Sequence, residues 1–159
     1  MNRRLRNIKL IVFDFDGVMT DNTVYLNQNG MEMVRLSRAD GYGIQILKEL
    51  GYLLLILSSE QNPVVYERAK KLNIDVIHGS SNKTISLRNF LLKTQISSEE
   101  VLYVGNDMND YEVMKFVGLC ASPKDAVSKI RKLSDIRLKS VGGQGVVHEL
   151  ATLLKRQRG

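Results

Sequence analysis

Two aspartates stand directly behind a short apolar run, with a spacing that suits chemistry on a phosphate ester. Asp14 and Asp16 follow the run IKLIVF at 8–13 and are separated by one residue. A carboxylate such as Asp14 can attack phosphorus as a nucleophile and form an aspartyl phosphate. Asp16 can then protonate the leaving alcohol and later deprotonate the attacking water. Because Gly17 allows the backbone to turn sharply, both carboxyl groups can face one ligand.

A hydroxyl group and a lysine follow two later apolar runs. Ser58 comes directly after YLLLIL at 52–57, and Lys83 stands a few residues after the short run at 74–77. Phosphoryl transfer needs its negative charge neutralised and its phosphate oriented. We therefore predict that Ser58 donates a hydrogen bond to a phosphate oxygen and that Lys83 supplies positive charge to phosphate and nucleophile.

The segment GNDMND at 105–110 adds amide and carboxylate oxygens behind a fourth apolar run. Mg²⁺ is bound through oxygen ligands and usually keeps several waters. Asp14, the backbone carbonyl of Asp16, and a side chain from Asn106 or Asp107 are the predicted ligands of a magnesium ion.

These residues are positioned by alternating strand and helix patterns. Apolar runs predict strands at 8–13, 52–57, 74–77, 101–104 and 118–121, and apolar periodicity predicts helices at 40–50, 63–72, 84–94, 108–117, 125–133 and 146–154. Segments 23–26 and 31–36 flank a turn and predict a β-hairpin. Alternating strands and helices indicate an α/β fold, a Rossmann-like parallel sheet with helices on both faces. Ligands of such sheets bind outside the carboxyl ends of the strands, where the polar groups would meet.

Composition limits the classes of protein that the chain can represent. It has 159 residues, which predicts a single domain over 1–159, and a net charge of 23 − 17 = +6. The excess positive charge lies mainly in the terminal segments, with few aromatics interleaved, so we predict solvated basic termini and no nucleic-acid partner.

No apolar run approaches the length of a membrane span. One cysteine, Cys120, fits a reducing compartment, and we expect a cytoplasmic protein without a membrane partner.

The motifs together resemble the signatures of the haloacid dehalogenase superfamily. They are DFDGVMTD at 14–21, LLILSS at 54–59, Lys83, and GNDMND at 105–110. The resemblance implies a magnesium-dependent phosphatase with an aspartyl-phosphate intermediate. It is greatest to a small branch that contains 3-deoxy-manno-octulosonate 8-phosphate phosphatases, nonulosonate 9-phosphate phosphatases and the domain attached to acylneuraminate cytidylyltransferases.

Spacing agrees with a member that has no cap domain. About 40 residues separate Asp16 from Ser58, and 25 separate Ser58 from Lys83, so neither interval holds a separate lid. The resemblance implies that a neighbouring subunit covers the site within a homotetramer, with the hairpin at 23–36 in the interface. It also implies that a phosphorylated sugar acid is the substrate.

Three positions depart from the octulosonate phosphatase pattern. Asn106 stands where many relatives carry Asp, and a neutral amide is a weaker magnesium ligand. Glu60 stands where those enzymes usually carry Arg, and Glu60 with Lys71 matches the nonulosonate branch better. We therefore predict Ser59, Glu60 and Lys71 as substrate-binding residues. His148 replaces an Arg of the closing segment.

Two other functions compete with the sugar-acid phosphatase. Asn106 is compatible with a catalytically weak or inactive assembly module that associates with an acylneuraminate cytidylyltransferase. A receiver domain of two-component signalling also phosphorylates an aspartate beside magnesium, but its acceptor follows a middle strand. Here the second and third predicted strands are followed by Ser58 and His78, which disfavours that reading.

Overall fold

The computed structural model describes residues 3–158, which fold around one six-stranded sheet. The strands are β1 (Leu10–Phe13), β2 (Tyr25–Leu26), β3 (Glu32–Met33), β4 (Leu53–Leu57), β5 (Asp75–Ile77), β6 (Val101–Val104), β7 (Leu119–Ser122) and β8 (Ile136–Arg137). The helices are α1 (Arg3–Arg6), α2 (Arg38–Glu49), α3 (Pro63–Leu72), α4 (Lys83–Thr94), α5 (Tyr111–Phe116), α6 (Ser128–Leu133) and α7 (Val146–Arg158).

The strand order places β1 in the middle of the sheet. The order is β5-β4-β1-β6-β7-β8, and every neighbouring pair is parallel. Phe13, the last residue of β1, is in register with Ile56 of β4 and Val104 of β6. The residues that follow these three strands therefore meet at one edge of the sheet. Because β4 lies on one side of β1 and β6 on the other, this edge is a topological switch point, the place where ligands of such sheets bind.

Alternating residues of β1 enter two separate cores, one on each face of the sheet. Ile11 and Phe13 pack in the cluster that also includes α2, α3 and α7, whereas Leu10 and Val12 pack in the cluster that includes α4 and α6. All four side chains are fully buried. This two-sided burial explains the continuous apolar run, because a strand covered on both faces has no polar side.

The predicted α/β fold class is confirmed, and the elements that were predicted differ from the observed ones mainly at their ends. Helix 63–72 and strand 101–104 have the predicted bounds. The hairpin forms, with Tyr25 opposite Met33, but its paired strands are shorter than predicted. The segment predicted as helix 108–117 begins as a 3₁₀ turn before α5, and α6 begins three residues later than predicted, after a turn.

Two short elements escaped prediction because they are too brief to show periodicity. β8 adds an edge strand beside β7. The basic segment at the amino terminus, predicted to be solvated, includes α1, and Arg4 forms an ion pair with Asp135 at 2.9 Å. Over residues 3–158, no helix combines the length and apolar character needed to cross a membrane.

Candidate active site

Asp14 occupies the centre of the strand edge because it directly follows β1. Its backbone N–H donates to the carbonyl of Val104 at 2.9 Å, which ties it to the end of β6. The residue is 4% exposed, and its Oδ1 accepts a hydrogen bond from the N–H of Phe15 at 2.8 Å. Lys83 Nζ lies 2.7 Å from the same oxygen. The structure thus brings the predicted nucleophile and the predicted lysine into direct contact.

Lys83 is held from its other side by Asp110, which the sequence did not single out for the site. Nζ lies 2.7 Å from Asp110 Oδ1, which also accepts the hydroxyl hydrogen of Tyr103 at 2.8 Å. Asp110 Oδ2 accepts the backbone N–H of Asn106 at 2.9 Å and that of Asp107 at 3.3 Å. Asp110 therefore fixes both the lysine and the loop after β6, and it does so while fully buried.

The buried charges set the protonation of this cluster. Burial lowers the pKa of Lys83, but Asp14 and Asp110 outweigh that effect and raise its pKa above the ordinary value, so the amine remains protonated. Burial, followed by the charge of Asp110, raises the pKa of Asp14 to about 8 against the opposing influence of Lys83. A cation beside Asp14 acts in the opposite direction because it favours the carboxylate.

Asp16 is held by a threonine that sequence reasoning missed. Thr20 Oγ1 donates to Asp16 Oδ1 at 3.2 Å, and it accepts the backbone N–H groups of Gly17 at 3.2 Å and Asn22 at 3.1 Å. Burial raises the pKa of Asp16 despite the hydrogen bond from Thr20, and the charge of Glu60 adds to the increase. A carboxyl group with a raised pKa is suited to donate a proton to a leaving group.

The amide of Asn106 faces two oxygens, an arrangement that fits a magnesium ion. When its nitrogen is turned toward them, it donates to the Asp16 carbonyl at 2.9 Å and to Asp14 Oδ2 at 3.2 Å. When its oxygen is turned toward them, three oxygens converge, which is repulsive unless a cation lies among them. Neighbouring ligands of octahedral Mg²⁺ are about 2.9 Å apart, since each lies about 2.05 Å from the metal. The two separations from the Asn106 amide, 2.9 and 3.2 Å, are close to this value, so Asn106 is suitably placed to share a magnesium ion with Asp14 and the Asp16 carbonyl.

Asp107 is less well placed as a ligand than Asn106. Its Oδ1 accepts the backbone N–H of Met108 at 2.6 Å, as a cap of the following turn. Within residues 3–158, no three histidine, cysteine or carboxylate side chains gather closely enough to hold a metal. The candidate magnesium site thus depends on the Asn106 amide and the backbone carbonyl of Asp16.

Gly17 provides the space that Asn106 occupies. Its φ is +80°, a left-handed conformation, and a Cβ atom at this position would overlap the Asn106 amide. Both features require glycine. The predicted turn of the backbone behind Asp14 and Asp16 is therefore present, and it also makes room for the amide that faces them.

A cavity of about 140 Å³ at this edge brings most of the predicted site residues together. Its lining includes Asp14, Asp16, Ser58, Ser59, Glu60, Asn106 and Asp107, joined by Asn22 and Asn109. Lys83 lies behind Asp14 rather than in the lining. A larger concavity of about 590 Å³ lies beside the outer side of α4, but its lining has no carboxylate, so it does not suit this chemistry.

Ser58 and Lys71 have contrasting positions. The Ser58 side chain is buried, and its Oγ accepts the backbone N–H of Glu60 at 3.1 Å, which leaves its hydroxyl hydrogen available. Lys71 is exposed in the last turn of α3, about 12 Å along the helix from Pro63. It does not line the cavity, so the chain by itself does not bring Lys71 together with the other predicted residues.

The carboxyl-terminal segment supports the loop that carries Asp14 and Asp16. Gly142 and Gly143 lie against the backbone of residues 17–21, where a side chain would collide, and the Gly143 N–H donates to the Val18 carbonyl at 3.1 Å. Buried Asp40 accepts the N–H groups of Val147 at 3.0 Å and His148 at 3.2 Å. These contacts give the tail a structural role, and they involve the backbone of His148 rather than its ring.

Comparisons with known proteins identify the family of the chain. Residues 49–150 match the family model of haloacid dehalogenase-like hydrolases. The chain is 34% identical over 157 residues to the 3-deoxy-D-manno-octulosonate 8-phosphate phosphatase of Escherichia coli K12, covering 98% of this chain and 84% of that protein.

Solved structures show the same similarity in three dimensions. The Moraxella catarrhalis 3-deoxy-D-manno-octulosonate 8-phosphate phosphatase, in complex with magnesium ion, phosphate ion and a KDO molecule, superposes with a TM-score of 0.92. It is 30% identical and covers 97% of this chain and 89% of that one. The cobalt-bound phosphatase of Haemophilus influenzae gives a TM-score of 0.93 at 25% identity, covering 99% and 92% of the two chains.

The comparisons confirm the predicted superfamily, fold class and enzyme class, a phosphoric monoester hydrolase. The chain belongs to the haloacid dehalogenase-like hydrolases, in the branch that contains the octulosonate 8-phosphate phosphatases.

Proposed function

We propose that the chain is a magnesium-dependent phosphatase that releases phosphate from a phosphorylated sugar acid through an aspartyl phosphate on Asp14. The observation that carries this proposal is the position of Asp14, whose Oδ1 lies 2.7 Å from Lys83 Nζ and whose Oδ2 lies 3.2 Å from the Asn106 amide. A carboxylate in this position has a cationic neighbour on one side and oxygen donors for a metal on the other.

The reaction proceeds in two displacements at phosphorus. Asp14 forms a bond to phosphorus while the ester P–O bond breaks, and Asp16 gives its proton to the leaving alcohol oxygen. Water then attacks the aspartyl phosphate, Asp16 takes its proton, and phosphate leaves with Asp14 restored. Lys83 offsets negative charge on Asp14 and on the phosphate, and Ser58 donates its hydroxyl hydrogen to a phosphate oxygen.

The candidate magnesium ion would be held by Asp14, the Asp16 carbonyl and Asn106, with waters completing its shell. When bound, it neutralises charge that develops on the phosphoryl group. Magnesium in the structure of the Moraxella relative supports the choice of ion.

The substrate that we favour is a nonulosonic acid 9-phosphate, followed by the octulosonate 8-phosphate of the named relatives. Glu60 and Ser59 line the cavity beside Asp16, and a glutamate accepts hydrogen bonds from sugar hydroxyls where an arginine would pair a carboxylate. Lys71 enters this proposal only through its resemblance to the nonulosonate branch, and in a homotetramer it would act on the site of a neighbouring subunit.

The hairpin supports the proposed homotetramer. Its strands expose large apolar side chains, and Tyr25, Leu26 and Met33 are each 59–65% exposed. Exposed apolar groups clustered in this way are typical of interaction surfaces. We further propose one domain acting in the cytoplasm, where the buried thiol of Cys120 stays reduced.

A panel of sugar-acid phosphates, assayed for phosphate release with and without Mg²⁺, tests the function. We expect magnesium-dependent turnover that Asp14→Asn abolishes, while Asp75→Asn, an exposed carboxylate at the start of β5, leaves it unchanged. Turnover that survives Asp14→Asn would contradict the proposal.

Trapping with beryllium fluoride distinguishes this enzyme from an inactive assembly module. A competent Asp14 binds the fluoride complex as a phosphate mimic in the presence of Mg²⁺, and Asp14→Asn does not. A wild-type protein that fails both to bind it and to release phosphate would favour the module.

A further inference from the structure

A second cavity, of about 220 Å³, adjoins the phosphate cavity on the side where a leaving group must lie. Both are lined by Asp16, Asn22 and Glu60. The second cavity continues toward the hairpin and the start of α3, where its further lining is Val24, Glu32, Val34, Asn62 and Val65. Because Asp16 protonates the leaving oxygen, the carbon atoms attached to that oxygen enter this second cavity.

The cations of the proposed reaction would act at one end of the two joined cavities. Lys83 lies 2.7 Å from Asp14 behind the phosphate end, where the magnesium ion would also bind. The leaving-group end has the carboxylates of Glu32 and Glu60, and none of the described residues that line either cavity is lysine, arginine or histidine. A second anionic group on the substrate would therefore meet two carboxylates without a counter-ion among the residues that line these cavities.

The remaining groups of the cavity suit hydroxyls. Carboxylates accept hydrogen bonds, and the amides of Asn22 and Asn62 both donate and accept them. Three valines give the cavity apolar walls against which a carbon chain can pack. Hydroxyl or ammonium groups on the carbons nearest the phosphate would be satisfied here, whereas carboxylate or phosphate groups would not.

Glu32 is held in this cavity by contacts from two elements. It lies on β3, and its Oε2 accepts a hydrogen bond from Asn62 Nδ2 at 3.2 Å. Asn62 is itself anchored, since its Oδ1 caps α3 through the Val64 N–H at 3.0 Å. The backbone bridge between Thr20 and Leu36 fixes the base of the hairpin beside the Asp16 loop.

We propose that Glu32, together with Glu60, makes the enzyme select phosphate esters whose carbons beside the phosphate carry hydroxyl or ammonium groups, and reject esters with a second anion there. This inference rests on the proposed phosphatase function. It agrees with a sugar-acid phosphate because the carboxylate of such a substrate lies at the opposite end of the carbon chain from the phosphate, beyond this cavity.

Two matched pairs of small esters test the selection. Glycerol 3-phosphate and 3-phosphoglycerate differ by a CH₂OH group against a carboxylate, and phosphoethanolamine and phosphoglycolate differ by CH₂NH₃⁺ against a carboxylate. We expect kcat/KM to favour the first member of each pair by about tenfold or more, which corresponds to about 1.4 kcal/mol. p-Nitrophenyl phosphate serves as the reference for the chemical step.

Variants assign the selection to residues. Glu32→Gln and Glu60→Gln should each reduce the ratio within a pair several-fold, and Glu67→Gln, on the exposed part of α3, should leave it unchanged. A wild-type ratio near one, or a ratio unchanged by Glu32→Gln, would overturn the inference while leaving the phosphatase proposal intact. An absence of turnover on these esters with turnover on the sugar-acid phosphate panel would overturn this inference alone, and an absence of turnover on both sets would contradict the phosphatase proposal as well.

Discussion

Replacing Tyr103 by phenylalanine removes a single hydroxyl from beneath the site. Tyr103 is fully buried in β6, and its hydroxyl donates to Asp110 Oδ1 at 2.8 Å. A hydrogen bond to a charged group contributes about 1.5–3 kcal/mol to stability. The variant leaves no buried donor without a partner, and Asp110 keeps its contact with Lys83. We therefore expect the free energy of unfolding to fall by about 1.5–3 kcal/mol, or the melting temperature by about 3–12 °C.

Urea unfolding at pH 7, followed by circular dichroism, measures this loss. Tyr66→Phe is the matched control, because the Tyr66 ring is 48% exposed on α3, and its change should stay within about 0.5 kcal/mol. The two variants should also differ in turnover, because Tyr103, unlike Tyr66, donates a hydrogen bond to the carboxylate that holds Lys83. A Tyr103→Phe protein as stable as wild type would show that the hydrogen bond from Tyr103 to Asp110 does not contribute to stability.

Three further predictions concern the metal and the tail. Gly17→Ala should lower magnesium-dependent turnover by at least about tenfold with the circular dichroism spectrum retained, because a Cβ would displace the Asn106 amide. Asn106→Asp should lower the Mg²⁺ concentration for half-maximal activity several-fold, since a charged ligand binds the ion more tightly; an unchanged value would contradict the assigned ligand. Burial acts to raise the pKa of Glu149, but the N–H groups of Lys139 and Ser140 outweigh it and lower the pKa. Glu149→Gln should therefore cost about 1–2 kcal/mol at pH 7. Urea curves should show the difference shrinking as the pH falls from the ordinary glutamate value of 4.5 through the lowered pKa of folded Glu149, where wild type loses that charge.

The parts of the site that directly follow strands were predictable from the sequence. Asp14, Ser58 and Asn106 each come within two residues of a strand end, and the parallel sheet brings those ends to one edge. The buried strands are continuous apolar runs, which fix their location, and Pro63 marks the start of α3. Local sequence therefore specified both the strands and the groups that they present.

The groups that act through tertiary contacts were not predictable in this way. From the sequence, Asp110 fits a helix cap as well as an ion pair. Its partner Lys83 lies 27 positions away in the chain, so no local pattern connects the two residues. Tyr103 reads only as a core residue of β6, and Thr20 as a turn residue. Lys71 was included by resemblance to a family branch, but the length of α3 determines that it lies away from the cavity.

Asn106 also explains how the site can stay ordered without its cation. The buried cluster already places two carboxyl groups, Asp14 and Asp110, around one lysine, and an aspartate at 106 would add a third beside Asp14. An asparagine adds none, and its amide can satisfy Asp14 and the Asp16 carbonyl as a donor or join them as an oxygen ligand. Asparagine at position 106 therefore binds the metal less tightly than aspartate would, but it adds less electrostatic repulsion to the folded state. It follows that Asn106→Asp should destabilise the protein in a chelator and recover that stability when Mg²⁺ is added.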